Sequence, residues 1–452
     1  MKTRNFTLIL ICFLLAHGLS AQFWLKQNIE YPLPSLGYEI RIVDDANAWS
    51  WGRGGVFLWG SWEQSYLDYS FGRTTDGGEN WTSGVFPFNG TEGDLTSMAA
   101  TSATKAWVSF VEFSTYVSTI YVTNNGGTSW EKANIQVGAN WVDNIHFFDQ
   151  NNGVIIADPA SNEFNIWTTA NGGDTWQKVS NANIPNAEDN LEYGVQSVFT
   201  TQGDKIWFNT YYHRVFYSED KGKTWSVWDA PQGASGLGLQ MTSDEENNVY
   251  MAVFNTNTSS YKLFRRNKTQ ADWTNLTPPD NDKYIYFTSV PGTGKLIQLN
   301  TSDTKTRISS DRGDSWFVVD SMVAGEKYFL FFKDAVTGYA FSRYTSFEGT
   351  IDILKYSGSP LSGLLSQEIL DVELTTYPNP ITTTVNVGLK SDTYHDYWII
   401  INDLDGNLVY KKEYAHINSI DERVSTENLP RGVYTITVCN SKGAKSKKIV
   451  KI

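Results

Sequence analysis

The chain is 452 residues long, 40% hydrophobic and 14% aromatic, with 17 Trp, 24 Tyr and a formal charge of -13 at pH 7. This excludes a disordered chain and predicts a β-rich protein of more than one folded unit, because aromatic rings suit pleated, half-buried surfaces. The acid excess lies almost wholly between residues 22 and 365, so nucleic acid is not an expected partner.

Cys12 and Cys439 are the two cysteines, beside five histidines. Neither a disulfide framework nor a Cys2His2-type metal site is expected, and we predict no metal and no cofactor. Lys2 and Arg4 precede an apolar run from Phe6 to Leu15, followed by Gly18, Ser20 and Ala21. That order predicts a secretory signal peptide over residues 1–21. The run is shorter than the roughly 20 residues of a spanning helix, and no transmembrane segment is expected.

Between residues 22 and 358 one phrase recurs: Thr74-Thr-Asp76-Gly-Gly-Glu-Asn-Trp81, then copies built on Asn125 and Trp130, Asn171 and Trp176, Asp220 and Trp225, and Asp311 and Trp316. A sixth copy keeps Trp273 and loses the glycines, and the Trp positions recur every 43 to 49 residues. A period of that size means a propeller or solenoid. The Asp or Asn side chain is expected to accept from turn N–H groups, the Gly to adopt positive φ, and the Trp to pack between sheets.

Each repeat reads as four short strands, as in residues 141–148, 153–158, 164–169 and 176–179. Six repeats end at a Trp. A seventh, within residues 328–356, lacks its fourth strand, which Phe23 to Gln27 can supply from the N-terminus. The expected fold is all-β, a seven-bladed β-propeller. The repeated phrase matches the Asp-box, and the body resembles Asp-box propellers of the BNR-like, sialidase-like and photosystem assembly-factor-like groups. That resemblance is carried by structural residues and implies architecture.

Residues 359–371 read as a linker, and residues 372–452 as a small Ig-like antiparallel β-sandwich with short alternating strands. Asp403-Leu-Asp405-Gly-Asn407 begins like a calcium loop, but position twelve is Tyr414 and not Glu, so a hairpin turn is expected. Tyr377-Pro378-Asn379-Pro380, Leu404-Asp-Gly406, Leu429-Pro-Arg-Gly-Val-Tyr434 and the terminal Lys448-Ile-Val-Lys-Ile452 resemble the type A sorting domain of the type IX secretion system of Bacteroidetes. The resemblance implies the type IX machinery as a partner, passage across both membranes, and a cell-surface or extracellular destination.

Chemistry is expected at the channel mouth reached by the second-to-third-strand loops. Candidate ligand-binding residues are Arg53, Trp59, Trp62 and Tyr66 in blade one, Tyr211, Tyr212 and Arg214 in blade four, and Arg343 in blade seven. The segment from Trp59 to Phe71 reads as a long aromatic loop offering stacking faces. Arg53, Arg214 and Arg343 together resemble the arginine triad with which sialidases hold a carboxylate. Val43 stands where that family's Arg-Ile-Pro motif has Pro, and those enzymes have six blades.

Asp158 and Glu192 are the candidate carboxylates for glycoside hydrolysis, and His146 is placed on an inner strand as a core or channel residue. The leading expectation is a monomeric exported propeller that binds an extracellular glycan or protein ligand at its mouth. A sialidase-like glycoside hydrolase and an envelope assembly factor are the alternatives.

Overall fold

The computed structural model describes residues 24–27, 29, 31, 35–58, 61–88, 90–138, 141–189, 191–231, 237–255, 260–276, 285–300, 305–321, 326–343, 351–356, 368–369, 372–402, 408–440 and 443–452. The expected signal peptide therefore lies outside the described residues, as do Cys12, Trp59 and Asp403 to Asn407. Among the described residues no helix is long and apolar enough to cross a membrane.

Seven four-stranded antiparallel sheets are present among the described residues, followed by one larger sheet. Blade three is representative: Val142–Phe147 pairs with Gly153–Ala160, that with Glu163–Thr169, and that with Gln177–Lys178. Its second strand is buried continuously from Val154 to Ala157, because a blade is covered on both faces by its neighbours. The innermost strands are Ser35–Ile42, Gly93–Ala100, Val142–Phe147, Gly194–Gln202, Leu237–Ser243, Ile285–Val290 and Glu326–Phe332. Each touches the innermost strand of the next blade, and the seventh touches the first, which makes a ring.

The N-terminal strand Trp24–Gln27 closes that ring as expected, pairing antiparallel with Ile351–Tyr356 as the outer strand of blade seven. The core is a series of layers between blades. Trp49, Phe71, Phe86 and Phe110 fill the layer between blades one and two. Every Trp of the repeated turn packs on the preceding blade: Trp81 meets Tyr339 of blade seven, and Trp130 meets Phe71 of blade one. Trp176, Trp225, Trp273 and Trp316 join the layers below blades three to six in the same way. One large ring per period thus staples consecutive blades.

The turn itself has the expected geometry. Asp76 Oδ1 accepts from Asn80 N at 2.9 Å and Thr74 Oγ1 accepts from Gly78 N at 2.8 Å. Asn125, Asn171, Asp220 and Asp311 accept in turn from the backbones of Ser129, Thr175, Thr224 and Ser315. The two residues after the acceptor have positive φ in all five copies, and Lys221 and Arg312 adopt it where the others have Gly. A second repeated turn, which sequence reasoning missed, joins the first two strands: Asp44, Asp149 and Asp334 each accept from two backbone N–H groups two and three residues on. The two turns are clipped together, with Gly77 N donating to Ala46 O at 2.8 Å and Gly172 N to Asn151 O at 2.8 Å.

In the C-terminal sheet, Thr384–Asn402 and Leu408–Ser425 are long strands where shorter ones are expected from the alternation. Register shifts around His395 bend the pair, so that the first half of Thr384–Asn402 pairs with Glu373–Tyr377 and the second with Gly432–Asn440. Both halves face one core of Val385, Val387, Tyr397, Ile399, Ile436 and Ile449. The sheet also takes in Glu368–Ile369, which lies in the expected linker. Asn379 accepts from Val450 N at 2.9 Å and donates to Lys448 O at 3.1 Å, so the Tyr377–Pro380 turn clasps the terminal strand.

Candidate functional site

The inner strands surround a channel of about 1030 Å³. The start of each inner strand and the end of the second strand lie at the same face, as the pairing of Val142 with Ala157 and of Gly194 with Thr210 requires. That face is the mouth where chemistry is expected.

At its blade-three side stand two carboxyls. Asp143 is the second residue of the inner strand and Asp158 lies near the end of the second strand, and both line the channel. Gly194 N, at the start of blade four, donates to Asp158 Oδ1 at 3.0 Å. A Cβ on Gly194 would fall 2.3 Å from Asp143 Oδ2, so only glycine lets the strand run past that carboxyl. Asp143 is 1% exposed; its Oδ2 meets no donor among the described residues, and its protonated carboxyl donates to that of Asp158. Burial first, then repulsion by Asp158, holds the Asp143 carboxyl well above the usual range. Burial also pushes Asp158 up to about 6, against the pull of the Gly194 N–H and Asp143. At neutral pH the pair holds one proton and one negative charge, because two adjoining buried carboxylates cannot both ionise.

Beside the pair is an aromatic shelf. Tyr193 and Tyr211 stack at 4.9 Å with 26° between planes, each 40% exposed, and Tyr211 N donates to Tyr193 O at 2.9 Å. Both line the channel. Tyr212 adjoins Tyr211 and donates to Asp189 Oδ2 at 3.0 Å. Leu191, two residues before Tyr193, is 65% exposed.

Glu192 and Arg214 do not line the channel. Arg214 Nη1 donates to Glu192 Oε2 at 2.7 Å, and Glu192 also accepts from Thr210 Oγ1 and Glu188 N, each at 2.7 Å. The partner of Asp158 at the mouth is Asp143, and Glu192 is a buried anion neutralised by Arg214. The Arg214 guanidinium, further engaged by Glu188 at 3.7 Å, is correspondingly occupied within blade four. The backbones of Arg53 and Arg343 lie on second strands, in blades one and seven. The side chains of Arg53, Trp62, Tyr66 and Arg343 lie outside those described.

The segment expected as a long aromatic loop is instead a hairpin arm. Ala48–Leu58 pairs with Ser61–Thr74 out to Leu58 and Ser61. Deeper in the channel, Arg41 ion-pairs with Glu39, donates to Met98 O at 2.8 Å, and lies 4.7 Å from the Phe199 ring centre. His146 packs against Phe148 and Phe199, and burial together with Arg41 keeps its imidazole neutral down to about 3.

Asp143, Tyr193 and Gly194 were missed from sequence. The available signal is an acidic residue, Asp143, near the start of one inner strand, and Glu-Tyr-Gly running into the next.

Residues 375–452 match the secretion system C-terminal sorting domain family. Residues 118–270, from the third strand of blade two into the turn after the third strand of blade five, match the family described as sortilin, neurotensin receptor 3. None of the curated proteins matches the chain. Among solved structures the chain is similar to YCF48 bound to D1 peptide, at 15% identity and a TM-score of 0.53, over 75% of this chain and 97% of that one. It is also similar to YCF48 from Cyanidioschyzon merolae, at 12% identity and a TM-score of 0.50, over 74% and 98%. At these identities the likeness is one of fold.

Proposed function

We propose that this chain, a seven-bladed propeller carrying a type IX secretion C-terminal sorting domain that directs it to the cell surface or extracellular space, binds a peptide segment of a partner protein at the mouth between blades three and four. The observation that carries the reading is the stacked, half-exposed pair Tyr193 and Tyr211 beside the channel carboxyls. Exposed rings held by packing and by a backbone hydrogen bond lose little entropy on binding and offer broad contact. The similar propeller solved with D1 peptide is consistent with a peptide, although that similarity extends to fold alone.

Hydrolysis of a glycan fits less well. Glycosidases separate their two carboxyls by roughly 5 to 10 Å, to admit a sugar or a water. Asp158 is in hydrogen-bond contact with Asp143, and Glu192 is closed off by Arg214. The test is binding and turnover by the full-length chain on paired peptide and glycan arrays. Tyr193→Ala with Tyr211→Ala is expected to weaken peptide binding at least tenfold. Glycan capture that the double variant abolishes would replace the ligand class, and turnover of any glycan would end the binding-only reading.

A further inference from the structure

Building on the peptide-binding reading, we infer that Asp143 and Asp158 anchor one cationic side chain of the bound segment, a lysine ammonium or an arginine guanidinium, beside Tyr193 and Tyr211. Donors are scarce at this pair. Two carboxyls can accept many hydrogen bonds, yet the described residues supply one backbone N–H, from Gly194, and the proton the two share. Asp143 is buried, so water cannot make up the difference cheaply.

Cations of the protein do not fill the gap either. Among the described residues Arg214 is engaged by Glu192 and Glu188, and Arg41 by Glu39. Gly194 packs directly on Asp143, where a Cβ would collide with Oδ2, and Asp158 is the less buried of the two carboxyls lining the channel. A desolvated site with one net negative charge and too few donors is the complement of a group with one positive charge and donors only. The exposed tyrosine rings add faces that attract the same cation. A neutral or anionic side chain would leave the half-buried Asp158 carboxylate without a counter-charge, and this is a source of discrimination.

Other ionisable groups flank the pair. Tyr193 and Tyr211 stand on the blade-four side, His146 lies deeper on the strand of Asp143, and Asp94 is the second residue of the neighbouring inner strand of blade two. Within pH 5 to 7.5, His146 stays neutral and the Tyr193 phenol, raised by burial, Tyr211 and Asp158, stays protonated. Acidification to pH 5 therefore removes the charge at the pair itself, through Asp158.

The test is titration of the full-length chain with acetylated, amidated pentapeptides Ala-Ala-X-Ala-Ala, where X is lysine, arginine, acetyl-lysine, citrulline or glutamate. Lysine and arginine peptides are expected to bind at least tenfold more tightly than the other three at pH 7.5. That preference should vanish at pH 5 and in Asp158→Asn. The lysine against acetyl-lysine comparison uses the unaltered chain, so it stands even where a variant fails to fold. Equal binding of those two peptides overturns the inference alone, and the peptide reading survives if Tyr193→Ala with Tyr211→Ala weakens both. Silence with all five peptides also overturns the inference, and a silent peptide array would then remove the reading beneath it.

Discussion

His146 lies on the same inner strand as Asp143, and the two respond to acid in opposite senses. The folded imidazole stays neutral down to about 3, held there by burial and Arg41, whereas an unfolded one takes a proton near 6.5. The unfolded chain binds more protons between those values, so this residue costs stability as pH falls through about 6.5. Asp143 and Asp158 do the reverse. Their folded carboxyls hold protons up to about 6 and beyond, and their cost at neutral pH is relieved as pH falls through that value. We expect His146→Gln to reduce the loss of Tm between pH 7 and pH 5. We expect Asp143→Asn to raise stability at pH 7.5 by about 1–2 kcal/mol, with thermal melts across pH as the check for both. The carboxyl pair is half legible in the sequence: Asp158 stands near the end of a second strand, but its partner sits fifteen residues earlier on another strand and belongs to no motif.

At the scale of elements, the repeated turn and the closing strand hold the blades. Asp220 accepts from Lys223 N, Thr224 N and Thr224 Oγ1. Asp220→Ala should cost about 1–2 kcal/mol by stranding those donors, and Asp220→Asn much less, because Asn125 and Asn171 already serve in this role. Chemical denaturation of the two variants distinguishes a capping carboxylate from one needed for its charge. The Trp24–Gln27 strand covers the outer edge of blade seven. Deleting it should lower Tm by several degrees and promote association through the bared edge, measurable by melting and light scattering. These elements were readable because their cues are local: a turn needs its acceptor, its positive φ and its ring within eight residues. The hairpin arm of blade one was not, since alternation there was masked by an aromatic run that suits strand and loop alike.

For the whole molecule, the C-terminal sheet and the propeller have separate tasks. Removing residues 375–452 should leave the chain inside the outer membrane, and cell fractionation should show it lost from the surface and the medium. The Tyr377–Pro380 turn grips the terminal strand, so Asn379→Ala should weaken export by loosening that strand, read by the same fractionation.

The amino-acid sequence by itself determined the seven-fold repeat, the turn chemistry, the closing strand and the sorting domain, because each is written in residues close together or recurring at one period. Only the tertiary structure decided which groups meet at the mouth. The channel draws one strand from each of seven blades across some 300 residues, and a repeat period says where strands lie without saying which side chains face one another across a ring. Tertiary packing is what gave Asp143 to Asp158, tied Glu192 to Arg214, and set two tyrosines face to face beside the carboxyl pair.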